Sequence, residues 1–418
     1  MKAVVAIWDG GGNVAPQLEI ARELVERGHD VRVLGNTCQR ERAERTGARF
    51  LPYRRAPDND ASSPETDLLR DWEAKTPIGA FARSRDRLIF GPSLEFARDV
   101  LEVLEEEPAD VVAWDYLLTG AGIGAERAGV PSAALVHTVY PVPTPGVPPF
   151  GLGLSPATGA LGRARDAAMR PVFTQLFKPG LKAANRARRE LGMAPQQEPF
   201  EHLTNARRAL VLTSREFDFA GTAELPDNVR FTGAVSSPAP DGGWDSPWPA
   251  GDERPLVIAS FSTTYMGQDD LARRAVEALA GLPVRGLVTT GPAIDAAALP
   301  SAENVEVREF VPHAAVLPEA SAAISHAGLG TVHAALAAGV PLVCVPDGRD
   351  QPDNAARVVH RGAGVRAGRG SSGEKLRRLV SQVLGDASYR RSAEKLAEAL
   401  AREDGAVRAA DEIDALAR

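Results

Sequence analysis

An apolar run gives way to a short helical one at Ser325-His326-Ala327-Gly328-Leu329-Gly330-Thr331, and the residue types there suit anion binding. Backbone N–H groups at a helix start have no intrahelical partner, and the helix dipole stands behind them. Gly328 and Gly330 let phosphate oxygens approach the backbone closely. Thr331 adds a hydroxyl, and His326 a hydrogen-bond donor or a positive charge. A loop chosen only for tight strand–helix packing would carry the same glycines. One strand later comes Asp347-Gly348-Arg349-Asp350-Gln351-Pro352-Asp353-Asn354. On an open parallel sheet, ligands sit beyond the C-terminal strand ends. That places Asp350 and Gln351 beside the anion loop, as acceptors and a donor for a polyol. Ser262 and Thr263 follow a further strand, and their hydroxyls face the same crevice.

A second glycine motif lies near the N-terminus. Gly10-Gly11-Gly12-Asn13-Val14-Ala15 fits the dinucleotide fingerprint after a first strand. That fingerprint wants an acidic residue where the second strand ends, to hold the ribose hydroxyl. Here the strand ends Leu34-Gly35-Asn36-Thr37, without a carboxylate. A nicotinamide-dependent oxidoreductase is therefore the weaker reading, and it leaves the loops of the second half unexplained.

The elements that must position these residues follow from hydrophobic periodicity. Lys2–Trp8 is a buried strand, and Pro16–Arg27 is a helix with Leu18, Ala21, Leu24 and Val25 on one face and Gly28 as its cap. Strands follow at Val31–Leu34, Ala109–Ala113 and Pro131–His137, the last two separated by a helix over Thr119–Ala128. The pattern restarts near Arg254, with strands at Pro255–Phe261, Arg285–Thr289, Val305–Phe310, Ala322–Ser325 and Pro341–Val345 and a helix near Leu271–Ala280. Alternation of this kind implies parallel sheets covered on both faces. The expected class is α/β, with two Rossmann-like domains over 1–216 and 253–388. A Pro- and Gly-rich linker over 217–252 joins them, and a helical tail over 389–418 is expected to dock partly on the first domain.

Composition narrows the partners. A chain of 418 residues, 44% hydrophobic and 25% charged, suits two globular domains. A net charge of −7 gives no general attraction to nucleic acid or anionic membrane, and 6% aromatic residues offer no base-stacking surface. No apolar run approaches the roughly 18 residues of a membrane span, and the N-terminus lacks a signal-peptide pattern. A cytoplasmic protein is expected. Cys38 and Cys344 cannot form a disulfide framework and lack metal-ligand spacing. The triplet Asp58-Asn59-Asp60 falls in a polar loop and reads as solvated, so no metal site is expected. Arg163–Arg189 carries eight Lys or Arg residues and one acid, which reads as a solvated basic helix face.

Phe310-Val311-Pro312-His313, then His326–Thr331, then Asp350-Gln351 with Asn354, resemble the donor-site signature of inverting glycosyltransferases with the two-Rossmann (GT-B) architecture. The resemblance runs from Gly12-Asn13-Val14-Ala15-Pro16 through the second domain, and is nearest to the bacterial enzymes that glycosylate antibiotics and other natural products. It implies parallel sheets facing across a cleft and a nucleoside diphosphate sugar as substrate, thymidine-linked ahead of uridine-linked. It also implies a small hydrophobic acceptor in the first domain beside Thr138–Pro156, and no cofactor; a homodimer is left open. By the resemblance, the Phe310–His313 turn holds the base, partly through the Val311 backbone. His326, Gly328, Gly330 and Thr331 hold the pyrophosphate, with Ser262 and Thr263 as a second phosphate contact. Asp350 and Gln351 take the sugar hydroxyls. For the Phe310 ring, core packing is an equal alternative. A non-catalytic helper with the same fold is a third class, but it has no use for the Asp-Gln pair.

The sequence departs from the family in one place. Members usually carry His, sometimes Asp, at the position of Asn13, and an amide cannot accept a proton at neutral pH. Asp115 resembles the carboxylate that orients that histidine. His137 ends the Ser132–Val136 strand and opens into the same crevice on a parallel sheet. His137 is the first candidate for a displaced base and Asp115 the second, with Asp9 nearby and Asn13 left to orient the acceptor. A histidine that merely caps a strand, an acceptor acidic enough to need no base, and lost turnover remain the alternatives.

Overall fold

The computed structural model describes residues 1–236 and 244–418. They form two compact units: Met1–Phe150 with Pro156–Val235 and Glu403–Arg418, and Gly151–Ser155 with Ser236–Arg402. The first unit holds a seven-stranded parallel sheet of β1 (Lys2–Ala6), β2 (Asp30–Gly35), β3 (Arg49–Pro52), β4 (Val111–Asp115), β5 (Ser132–Val136), β6 (Arg208–Val211) and β7 (Val229–Phe231), in the order β3-β2-β1-β4-β5-β6-β7. The second holds a six-stranded parallel sheet of β8 (Leu256–Ser260), β9 (Arg285–Thr289), β10 (Val305–Arg308), β11 (Ala320–Ser325), β12 (Leu342–Cys344) and β13 (Gly364–Arg366), ordered β10-β9-β8-β11-β12-β13.

Both orders reverse direction beside the first strand of the sheet, between β1 and β4 in one unit and between β8 and β11 in the other. At such a reversal adjacent connections leave toward opposite faces and open a crevice at the C-terminal strand ends. Register fixes what meets there. Ala6 lies opposite Trp114, and Asp115 opposite Leu135. In the second sheet Ser260 pairs with Ser325, and Ser325 with Cys344. Every residue of β4, β5 and β8 is buried, as strands covered on both faces require.

The unit boundaries differ from the sequence expectation. β7 lies within 217–252 yet pairs with β6, so the first unit runs to Val235 and not to residue 216. The rest of the expected linker lies in part outside the described residues. The helix Ala387–Leu400 belongs to the second unit, and only Gly405–Leu416 docks on the first. There Ala409, Ala410 and Ile413 join the core of Val5, Leu18 and Leu24, while Arg27 binds Asp411 and Asp414. Residues 151–155 count with the second unit, where the Gly151 N–H donates to Asp353 at 2.6 Å. The basic stretch is a 31-residue helix, Ala160–Glu190, that buries Phe173, Phe177, Gly180, Ala184 and Ala187 and exposes Lys178, Lys182, Arg186 and Arg189. No helix among the described residues is long and apolar enough to cross a membrane.

Candidate active site

In the first unit the loop after β1 runs directly into the helix Val14–Glu26, with Asn13 at its N-cap position. The Asn13 side chain does not cap that helix. Its Nδ2 donates to Asp115 Oδ2 at 2.8 Å and to the Trp8 carbonyl at 3.0 Å, while its Oδ1 accepts from the Gly10 N–H. Gln17, one helical turn on and therefore on the same side, donates through Nε2 to the same Asp115 oxygen. The other oxygen, Oδ1, accepts from the Leu117 N–H at 3.0 Å, and His137 Nε2 lies 3.2 Å from both carboxylate oxygens. Asp115 is fully buried and the His137 side chain is 11% exposed, so the imidazole is the member of the pair that reaches the surface. Tyr116 packs its ring against His137 with centroids 5.1 Å apart, and its hydroxyl bonds Thr138 Oγ1.

Burial alone would raise the Asp115 carboxyl. The His137 ring, with hydrogen bonds from His137, Asn13 and the Leu117 backbone, overcomes that and holds the carboxyl below its ordinary value. A carboxylate so held is a poor proton acceptor but a good orienter of an imidazole. Asp9 is occupied elsewhere. It is 6% exposed, accepts from Gln39 Nε2 at 3.0 Å and the Ala61 N–H at 2.8 Å, and burial raises its pKa. Within Asp58-Asn59-Asp60, read as solvated, Asp58 is exposed and Asp60 half-buried, but Asn59 is not solvated. Asn59 is 3% exposed and binds the Asp9 carbonyl and the Leu68 N–H, and Asp58 accepts from Thr37 N–H at 2.9 Å. Asp9, Cys38 and Asp60 are grouped closely enough to hold a cation. Burial, then the charges of Asp9 and Asp60, pushes the Cys38 thiol to about 12, which keeps it neutral.

In the second unit the loops after β8, β10, β11 and β12 are tied together by side chains. His313, after β10, lies 3.0 Å from Ser260 Oγ at the end of β8. Ser262 Oγ bonds Thr264 Oγ1, and the Arg349 guanidinium reaches that Thr264 hydroxyl at 3.2 Å. Asn354, fully buried, donates to the Ala327 carbonyl at 3.0 Å and to Asp350 Oδ2 at 2.8 Å. Ala327 has φ +65° and Arg349 φ +54°, left-handed positions that non-glycine residues occupy at a cost. Asn354 and the Ser325 hydroxyl, which accepts from the Ala327 N–H, hold the first of these turns.

The expected donor residues sit as follows. His326 is 7% exposed, and a Cβ built on Gly328 would lie 2.4 Å from its Nε2, so glycine is required for the ring to occupy its place. Burial, with smaller contributions from Arg349 and His313, lowers the His326 pKa to about 4. The ring of the free protein is neutral at pH 7 and offers a hydrogen bond. Gly330, with open space where a Cβ would stand, and half-buried Thr331 lie in the first turn of the helix Leu329–Ala337. Phe310 is 74% exposed, which excludes core packing for its ring, while Val311 beside it is buried. Thr263 is exposed and Ser262 buried. Gln351 is 3% exposed, and its Oε1 accepts from the Asp347 and Gly348 N–H groups, so its carbonyl shapes the loop. Sequence reasoning missed Gln17, Thr264 and Arg349. Gln17 had one signal, a lone amide on the apolar face of an otherwise greasy helix.

Residues 287–416 match the family described as erythromycin biosynthesis protein CIII-like, C-terminal domain, and residues 10–177 match a glycosyl transferase 4-like domain. The chain is 33% identical over 99% of its length to 99% of the 4'-demethylrebeccamycin synthase of Lentzea aerocolonigenes. The crystal structure of the glycotransferase of kitacinnamycin, 25% identical, superposes with a TM-score of 0.76 over 99% of this chain and 98% of that one. The glycosyltransferase VinC in complex with dTDP shares the fold at a TM-score of 0.70 and 19% identity, covering 100% and 99% of the two chains. The chain belongs to the natural-product glycosyltransferases of the two-Rossmann-domain fold.

Proposed function

We propose that this enzyme is an inverting glycosyltransferase. It moves a sugar, a deoxysugar first among candidates, from a thymidine diphosphate donor to a small hydrophobic natural-product acceptor without a metal ion. The observation that carries this reading is the convergence of the His326, Asp350 and Ser262–Thr264 loops at the switch point of the second sheet, cross-linked by Asn354 and Arg349. The Leu329–Ala337 helix start and the neutral His326 ring would take the charge that develops on the departing diphosphate. Exposed Phe310 would meet the base, and Asp350 the sugar hydroxyls.

In the transfer the acceptor heteroatom forms a bond to the anomeric carbon as the carbon–oxygen bond to the diphosphate breaks on the opposite face, and that oxygen leaves with the electron pair. The acceptor proton passes to His137, which Asp115 holds in orientation. Thymidine is favoured over uridine because a neighbour in fold holds dTDP, and the relative named for making 4'-demethylrebeccamycin supports a natural-product acceptor. A nicotinamide cofactor would need a carboxylate near Gly35, where Asn36 instead binds the Asp9 N–H and Asp58.

Calorimetry with dTDP, UDP and NAD tests the donor assignment. The parent protein binds dTDP most tightly, and NAD does not bind. Gly328→Ala, which must displace the His326 ring, loses roughly tenfold to a hundredfold in dTDP affinity, the range for a hydrogen bond to a charged group. Parental dTDP affinity in Gly328→Ala, or binding of NAD, would overturn the assignment.

A further inference from the structure

Two amides, one from the loop after β1 and one from the helix that follows, close on a single oxygen of Asp115. Asn13 Nδ2 and Gln17 Nε2 both donate to Oδ2, Oδ1 accepts from the Leu117 N–H, and His137 Nε2 stands 3.2 Å from both oxygens. We infer that Gln17 is a positioning residue for the transfer reaction, closing with Asn13 a two-amide clamp that fixes the plane of the Asp115 carboxylate with both oxygens toward His137. The inference rests on the reading of His137 as the base.

The burial of Gln17 argues for a purpose beyond packing. Its side chain is fully buried on a helix face otherwise made of Val14, Leu18, Ile20, Ala21 and Leu24, and its Oε1 makes no hydrogen bond. A buried carbonyl without a partner costs free energy that a leucine of similar size would not. What the amide provides is the Nε2–H on Asp115. A carboxylate with one oxygen held by two neutral donors cannot rotate its plane, and its negative charge is drawn toward the clamped side. The clamp therefore sets both the direction of the His137 Nε2 contact and the strength of the field the imidazole feels.

The titratable groups around the pair are few. Tyr53, after β3, donates its hydroxyl to the Ile7 carbonyl, and burial followed by the Asp115 charge pushes its pKa well above 10, so it stays neutral. Tyr116 packs on the His137 ring with its hydroxyl on Thr138. Asp9, in the Asn13 loop, turns its carboxylate to Gln39 and Ala61. None of these supplies a second charge on the clamped oxygen.

Removing one clamp donor leaves more charge on Asp115, which favours the imidazolium form of His137. The test is an NMR pH titration of histidine-labelled full-length protein, with the His137 signal identified by its loss in His137→Gln. In Gln17→Met the His137 midpoint moves up by roughly half a unit to one unit, and the acid limb of kcat/KM moves with it. Asn13→Ala removes the other donor and shifts the midpoint the same way, which keeps the inference testable should Gln17→Met fail to fold. A midpoint unchanged in both variants, while Asp115→Asn lowers it, overturns the clamp and leaves the His137–Asp115 pair standing. A midpoint that Asp115→Asn also leaves unchanged overturns the pair itself.

Discussion

His137→Gln lowers kcat for sugar transfer by roughly 10²–10⁴-fold, the usual contribution of a positioned general base, and leaves dTDP affinity at its parental value. The expectation follows from the division of labour between the units. His137 and Asp115 stand at the end of the first sheet, and the loops proposed to hold the diphosphate belong to the second. Glutamine keeps much of the volume and hydrogen-bonding reach of the ring but cannot take a proton at neutral pH. Asp115→Asn should fall in the same range, because the ring then loses the charge that stabilises its imidazolium. Transfer rates and dTDP calorimetry on the same preparations separate this from general damage. A variant that keeps the parental kcat would assign proton removal to the acceptor's own acidity.

Acid is expected to destabilise this protein through its buried histidines as the pH falls from about 6.5 toward 4. Burial lowers His202, His326 and His333 to about 4. The unfolded rings titrate near 6.5, so between these values the unfolded chain binds more protons than the folded one. The stability is fully present above about 6.5 and is lost as the pH falls toward 4. With ~1.4 kcal/mol per unit over about 2.5 units, each ring accounts for about 3 kcal/mol at the acid end. His326 and His333 lie in the second unit and His202 in the first; in the second unit Asp353, raised to about 6 by burial, takes up its proton while folded and offsets part of the loss there. Scanning calorimetry from pH 7.5 to pH 4.5 should show the melting temperature falling through that window. His202→Phe, placed among Phe90, Trp114 and Phe200, should flatten the part that belongs to the first unit. A melting temperature constant down to pH 4.5 would contradict the burial of these rings.

Where a residue's neighbours in sequence determined its place, the structure was legible beforehand. The helix Thr119–Ala128 and the strand Arg285–Thr289 fall at the expected bounds because apolar residues mark their interiors and glycine follows each, Gly129 as the helix cap and Gly291 after the strand. The strands β3, β6, β7 and β13 escaped notice. β3, β7 and β13 are three or four residues long, lie at the sheet edges and include Arg49, Arg230 and Arg366, so they present no apolar run, whereas β6 was passed over despite its apolar Ala209-Leu210-Val211. The His326 loop was visible through its glycines, and His137 and Asp115 through their positions at strand ends. Gln17 and Arg349 were not, since each acts across the fold: Gln17 on a carboxylate nearly a hundred positions away, and Arg349 on Thr264. In Asp58-Asn59-Asp60 the central residue misled for the same reason. Polar residues in a loop look solvated until the partner that buries them, here Asp9, is known.

Stereochemistry at the anomeric carbon is the most direct test of the proposed chemistry. The enzyme is incubated with dTDP-α-D-glucose and a panel of small aromatic acceptors, and the product is followed by its anomeric proton coupling together with release of dTDP. The account predicts a β-linked glycoside and one dTDP released for each sugar transferred, with the product absent in His137→Gln over the same period. An α-linked product would contradict inversion, and the absence of nucleoside diphosphate release from this and every other nucleoside diphosphate sugar tried would contradict sugar transfer itself.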